Sequence, residues 1–191
     1  MKKHTTNSYM LCFVAVCAAA CIFASCGAKT AQKTAVQPQF PKDFVGNWSG
    51  VLQIYTSQGK KQEVPMQLNI QPLKDSASTQ YSWEIIYGEK AKDHRPYRLV
   101  PVEADKGHWL VDENDGIQLD CFYIGNTLYS QFAVQGSYLT CTDRLEGNKL
   151  YYEITTAKVK PLKTTGGTSA DSPPVDSYSV PATQKAVLTR K

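Results

Sequence analysis

Few of the residues able to do chemistry stand close enough together in this sequence to do it jointly. His94 and His108 each lack ligating neighbours, whereas a zinc site needs three or four ligands at recognisable spacing. Cys121 or Cys141 could pair with His108 as nucleophile and base. Both cysteines fall among alternating apolar residues, however, where a small buried thiol is the ordinary reading. Asp112-Glu113-Asn114-Asp115-Gly116 has the composition of a calcium loop. Counting from Asp112, though, the glycine is fifth rather than sixth, and Tyr123 rather than a glutamate is twelfth. A hairpin suits Asn-Asp-Gly better, and it turns Trp109 and Val111 over Leu119 and Cys121. Gly-x-Ser-x-Gly, a phosphate loop and His-Glu-x-x-His are all missing from the chain. No catalytic residue, metal or cofactor is therefore assigned, and the expectation is a protein that binds or scaffolds rather than catalyses.

The cysteine with the clearest chemical context is Cys26. Lys2 and Lys3 form a basic start, and an apolar stretch over 9–24 follows, shorter than the ~20 residues a membrane span requires. A small-residue site comes next, Phe23-Ala24-Ser25-Cys26-Gly27, and then the chain turns polar. This order resembles the lipobox of bacterial lipoproteins, with Phe23 where that family usually has leucine. The resemblance implies a signal peptide over 1–25, cleavage before Cys26 and lipidation (diacylglycerol, palmitate) of its thiol. Cys21, preceded by Ala18-Ala19-Ala20, is the rival site, but cleavage there would leave Ile22 and Phe23 exposed at the mature end. An acylated cysteine holds a domain on a bilayer at about 0.8 kcal/mol per buried methylene. Gly27 in place of aspartate implies an outer-membrane address in the cell envelope, with the domain in the periplasm or at the surface.

With Lys2 and Lys3 set aside, 19 basic residues face 17 acidic ones, a net of +2 that gives no electrostatic case for nucleic acid. Residues 26–42 are polar, contain two prolines and read as a disordered tether. Residues 161–174 form a second linker of Gly, Ser, Thr and Pro. Residues 175–191 regain apolar character, which a purely solvated tail does not need. Part of that segment, 186–189, is expected to return as an edge strand beside the first or last strand. The competing expectation is a mobile peptide that docks a partner.

Between the linkers, 43–160 reads as one all-β domain. Strands are expected over 45–56, 63–73, 81–87, 96–104, 108–112, 117–124, 127–134, 138–145 and 149–157, joined by short Gly-containing turns. This pattern predicts an antiparallel up-and-down β-barrel of about nine or ten strands. Two-residue loops at Gly125-Asn126, Gln135-Gly136 and Gly147-Asn148 fix the register of the last four strands. Cys121 then faces Ser130, Ser130 faces Cys141, and Leu145 faces Leu150. One face collects Ile117, Leu119, Cys121, Tyr123, Leu128, Phe132, Val134, Leu139, Cys141, Leu145, Leu150, Tyr152 and Ile154, and the other collects Gln118, Asp120, Gln131, Thr140, Thr142, Arg144 and Glu153. Three independent turns agree on one apolar face. Asp143 is the exception, falling on the inner side opposite Leu128 and Tyr152. Because Cys121 and Cys141 sit two strands apart, at roughly 9 to 10 Å, they are expected as reduced thiols rather than a disulfide.

Phe44-Val45-Gly46-Asn47-Trp48 resembles the Gly-x-Trp opening of the calycins, the barrels of lipocalins, fatty-acid-binding proteins and avidins. The resemblance implies that Trp48 plugs one end of a closed, lipocalin-like barrel and that a ligand cavity opens at the other. Lipocalins lay an arginine from a late strand across that tryptophan; Arg144 is the nearest candidate, although the register points it outward. The aromatic residues Trp48, Tyr81, Trp83, Tyr87, Tyr123, Phe132 and Tyr152 are the candidate ligand-binding set, apolar in body and, at most positions, polar at the tip. The same rings could equally fill a small barrel solidly. The leading expectation is a lipid-anchored binder of a small lipophilic or aromatic ligand. The alternative is an envelope interaction module docking a partner protein through a sheet face or the C-terminal tail.

Overall fold

The computed structural model describes residues 37–74, 79–91 and 93–191. Cys26, Cys21 and the whole expected signal segment lie outside the described residues. Within them the chain forms β1 (Gly46–Thr56), β2 (Gly59–Ile70), β3 (Tyr81–Tyr87), β4 (Asp93–Glu103), β5 (His108–Asp112), β6 (Gln118–Ile124), β7 (Thr127–Val134), β8 (Ser137–Glu146) and β9 (Lys149–Lys158). Two short strands, β10 (Lys163–Thr165) and β11 (Val175–Ser177), pair with each other, and β12 (Ala182–Arg190) follows. The ten long strands close into an antiparallel barrel in the order β1-β12-β9-β8-β7-β6-β5-β4-β3-β2. This is the all-β barrel that the alternation of apolar and polar residues predicts.

The register expected from the turns is the register observed. Cys121 opposes Ser130, Ser130 opposes Cys141, Asp143 lies between Leu128 and Tyr152, and Leu145 opposes Leu150. Gln135 and Gly136 both have positive φ, the requirement of a type I′ turn, whose twist matches that of the strands it joins. Cys121 and Cys141 are free thiols.

β12 is not an added edge. It pairs with β1 on one side and β9 on the other, so the strand that closes the barrel comes from the C-terminal segment. Closure removes the unpaired backbone groups that β1 and β9 would otherwise present. β1 and β12 approach closely at Gly50, where a Cβ would stand 2.4 Å from the Val187 carbonyl oxygen. The stretch read as a linker is partly ordered by the β10–β11 pair.

Side chains of alternate residues fill one half of the barrel. Phe44, Trp48, Leu68, Ile70, Leu99, Leu150 and Leu188 are fully buried there, and each such burial contributes about 1.5–3 kcal/mol. A 3-10 turn over Lys42–Phe44 leads the chain across this end and delivers Phe44 into it. Phe40 follows, stacked on Tyr123 at 4.9 Å and edge-on to Phe44 and Trp109. The last residues of the expected tether thus belong to the plug.

Trp48 donates its indole N–H to the Phe44 carbonyl at 2.8 Å, which satisfies its one polar group in the buried end. The arginine across it is Arg190, whose guanidinium lies 4.5 Å from the ring, and not Arg144. The register gives the reason. Arg190 is the direct cross-strand partner of Trp48 and therefore shares its face, while Arg144 points outward over Tyr151. Gly46 leaves room for this arrangement, because a Cβ there would meet the Arg190 Nε at 3.0 Å. That contact supplies a physical basis for glycine two positions before the tryptophan.

Candidate ligand cavity

Beyond the Trp48 end the barrel is hollow. The small side chains of Cys121, Ser130 and Cys141 stand in one cross-strand row over β6, β7 and β8. Where larger residues would meet across the interior, these leave space. The result is a cavity of about 520 Å³, within the range of sites for small molecules. Its walls are Trp83 and Ile85 on β3, Arg95 and Tyr97 on β4, Val111 on β5, Leu119 on β6, Leu128 and Phe132 on β7, Leu139 and Asp143 on β8, and Tyr152 and Ile154 on β9. Ile117 and Val134, both half-exposed, lie at its mouth, at the end of the barrel opposite Trp48.

The seven aromatic residues read as a ligand set divide between the two halves. Trp83, Phe132 and Tyr152 line the cavity. Tyr87 reaches the same wall through its hydroxyl, which hydrogen-bonds that of Tyr152 at 2.9 Å. Trp48 sits in the plug, Tyr123 donates to the Pro38 carbonyl at 2.6 Å beneath Phe40, and Tyr81 packs edge-on to Trp109. The structure therefore brings four of the seven together and places three in the packed end. Solid core and cavity, the two expectations, coexist along one barrel axis.

The polar groups of the wall have unequal surroundings. Arg95 is gripped by Asp93 through two hydrogen bonds, of 3.1 and 2.8 Å, and its guanidinium lies 5.0 Å from the Tyr87 ring centre. Burial pushes the Cys121 and Cys141 thiols up to about 12, so both are neutral and unreactive at physiological pH. Burial likewise raises the Tyr152 hydroxyl far above its ordinary value, helped by the neighbouring Tyr87. Asp143 is buried, its carboxyl is lifted to about 7 by desolvation alone, and its Oδ1 has no hydrogen-bond partner.

Arg95, Tyr97 and Asp143 were not among the expected site residues. Asp143 carried a signal in the sequence, a lone acid on an otherwise apolar strand face. Arg95 carried none, because β4 begins three residues earlier than its pattern suggests and the β3–β4 connection is not a two-residue loop from which register can be counted.

The other chemical candidates fall outside the cavity. His108 hydrogen-bonds Asp120 at 2.7 Å and stacks on Phe122 on the outer face, while Cys121 points inward, so the two form no nucleophile pair. His94 bonds Glu84 at 2.6 Å on the surface. The Asp112 and Asp115 carboxylates accept hydrogen bonds from the Asn114 and Ile117 amides, a use in shaping the hairpin.

No protein-family model and no curated protein matches the chain. A solved structure does. The chain is similar in fold to the S-type phycobiliprotein lyase of Guillardia theta, with a TM-score of 0.50 at 10% identity over 81% of this chain and 98% of that one. The shared architecture is the lipocalin-like barrel that the Gly-x-Trp opening implies.

Proposed function

We propose that this protein is a lipid-anchored lipoprotein of the cell envelope whose barrel holds one small, largely apolar ligand of aromatic size. The observation that carries the reading is the 520 Å³ hollow opposite the Trp48 plug. A barrel that needed only to be stable would fill that volume, since each large-to-small change in a core costs several kcal/mol. Here a row of three small residues keeps it open among aromatic walls. The protein binds and carries rather than catalyses. Its cavity thiols are held neutral, and His94 and His108 face outward.

A native mass spectrum of the protein purified from its own membranes is expected to show a co-purified molecule of a few hundred daltons, released on unfolding. A spectrum of bare protein, together with no uptake of small aromatic compounds, would contradict the reading. Anchoring rests on the order of basic, apolar and small residues ending at Cys26. Cys26→Ala is expected to abolish incorporation of labelled palmitate and to leave the precursor uncleaved. Normal processing of that variant would contradict the anchor.

The second reading, a docking module, draws on Phe122, Ile124 and Tyr129, which are exposed side by side on the outer face of β6 and β7. Such a patch suits a protein partner in the envelope. In that case the mass spectrum shows a stoichiometric protein rather than a small molecule.

A further inference from the structure

Among the described residues, one buried side-chain nitrogen or oxygen lacks a hydrogen-bond partner, and it belongs to this cavity wall. Tyr87 and Tyr152 share their hydroxyl hydrogen bond, Arg95 is neutralised by Asp93, and the Cys121 thiol donates to the Leu119 carbonyl at 3.4 Å. Asp143 is 93% buried and lines the same cavity, yet its Oδ1 receives no hydrogen bond. The groups that feel its charge are Tyr87 on β3, Cys121 on β6, Cys141 on its own strand and Tyr152 on β9, none of which is a cation. Arg95, the cation of the wall, is already committed to Asp93, and Glu113 at the rim adds negative charge.

A buried carboxylate with an unpartnered oxygen is relieved either by a proton or by a donor that another molecule brings. Burial places the proton's departure at about pH 7, so around neutrality the proton alone relieves it only in part. Building on the cavity as a ligand site, we propose that Asp143 is its polar anchor and that the ligand carries a protonated amine, which donates to Asp143 Oδ1 while an aromatic body packs against Trp83, Phe132 and Leu139. The recognition is a charge-assisted hydrogen bond to a buried group among apolar walls, where such a bond is stronger than in water. The chemical class is therefore a hydrophobic amine. A fatty acid or another anionic lipophile would face Asp143 with like charge.

The test titrates the purified whole chain with 1-naphthylmethylamine, 1-naphthylmethanol and 1-naphthoate at pH 8, by calorimetry. The amine is expected to bind about tenfold or more tightly than the naphthoate. Asp143→Asn, which keeps the shape and removes the charge, is expected to weaken the amine by about tenfold while the alcohol changes by less than about twofold. In the wild type at pH 5.5, protonation of Asp143 is expected to shrink the preference for the amine. Equal binding of amine and naphthoate, or an amine affinity unchanged by Asp143→Asn, would overturn this assignment and leave the cavity standing as a ligand site. Failure of all three probes, the neutral alcohol included, would overturn the ligand cavity and this inference together.

Discussion

Asp143 is where stability and cavity chemistry pull apart. Its folded value of about 7 stands against an unfolded value of about 3.9. Below about pH 4 both states hold the proton and the contribution to stability is complete. Between about 4 and 7 the unfolded chain has released its proton and the folded chain has not, so stability falls as pH rises through that window. Above it the loss is complete, on the order of 4 kcal/mol at most. Carboxylates such as Glu84 and Asp93 are held below their ordinary values by hydrogen bonds from Asn69 and Arg95 respectively, and act in the opposite sense. The informative quantity is therefore the difference between wild type and Asp143→Asn in urea unfolding. The variant is expected to gain stability relative to wild type progressively from pH 4 to pH 7.5. Parallel pH profiles would contradict a buried, unpaired Asp143. Arg190 illustrates a different residue-scale point, since a guanidinium over an indole contributes through both charge and packing and its Gly46 berth is part of the same contact.

At the scale of elements, β12 decides whether the sheet is a barrel. It pairs with β1 at Trp48 and Ser49 and again from Leu52 to Tyr55, and with β9 from Ala182 to Thr189, where Val187 lies opposite Tyr151 and Leu188 opposite Leu150. The amides of Val187 and Leu188 are therefore expected to exchange as slowly as those of the β8–β9 pair. Complete exchange within seconds in the isolated protein would show that the closing strand is not docked. Legibility in the sequence followed the turns. Where a two-residue loop joins strands, as from β6 through β9, register and facing could be counted, and Cys121, Ser130, Cys141 and Asp143 were placed correctly. Where a bulge intervenes between Ile54 and Tyr55 on β1, or a longer loop precedes β4, counting fails, and Arg95 was missed. β12 lies beyond a long excursion containing β10 and β11, and no local turn chemistry says which strands it will join. Its apolar content announced a return to the domain, and only tertiary pairing revealed that it closes the ring and carries the arginine wrongly sought at Arg144.

At the scale of the whole barrel, the described residues are solid at one end and hollow at the other. Phe40, Phe44 and Trp48 seal the end where the described chain enters, and the mouth at Ile117 and Val134 faces away from it. The division into plug and cavity was not legible from the aromatic inventory alone. Alternation says which residues point inward but not how far along the axis opposing side chains meet. The most direct test of the ligand cavity is an amide shift map of the isotope-labelled protein titrated with 1-naphthylmethanol. Saturable shifts at Ser130, Phe132, Cys141 and Ile154, with Phe122 and Tyr129 on the outer face unmoved, are the predicted result. Shifts confined to the outer face, or none at all, would contradict a ligand site inside the barrel.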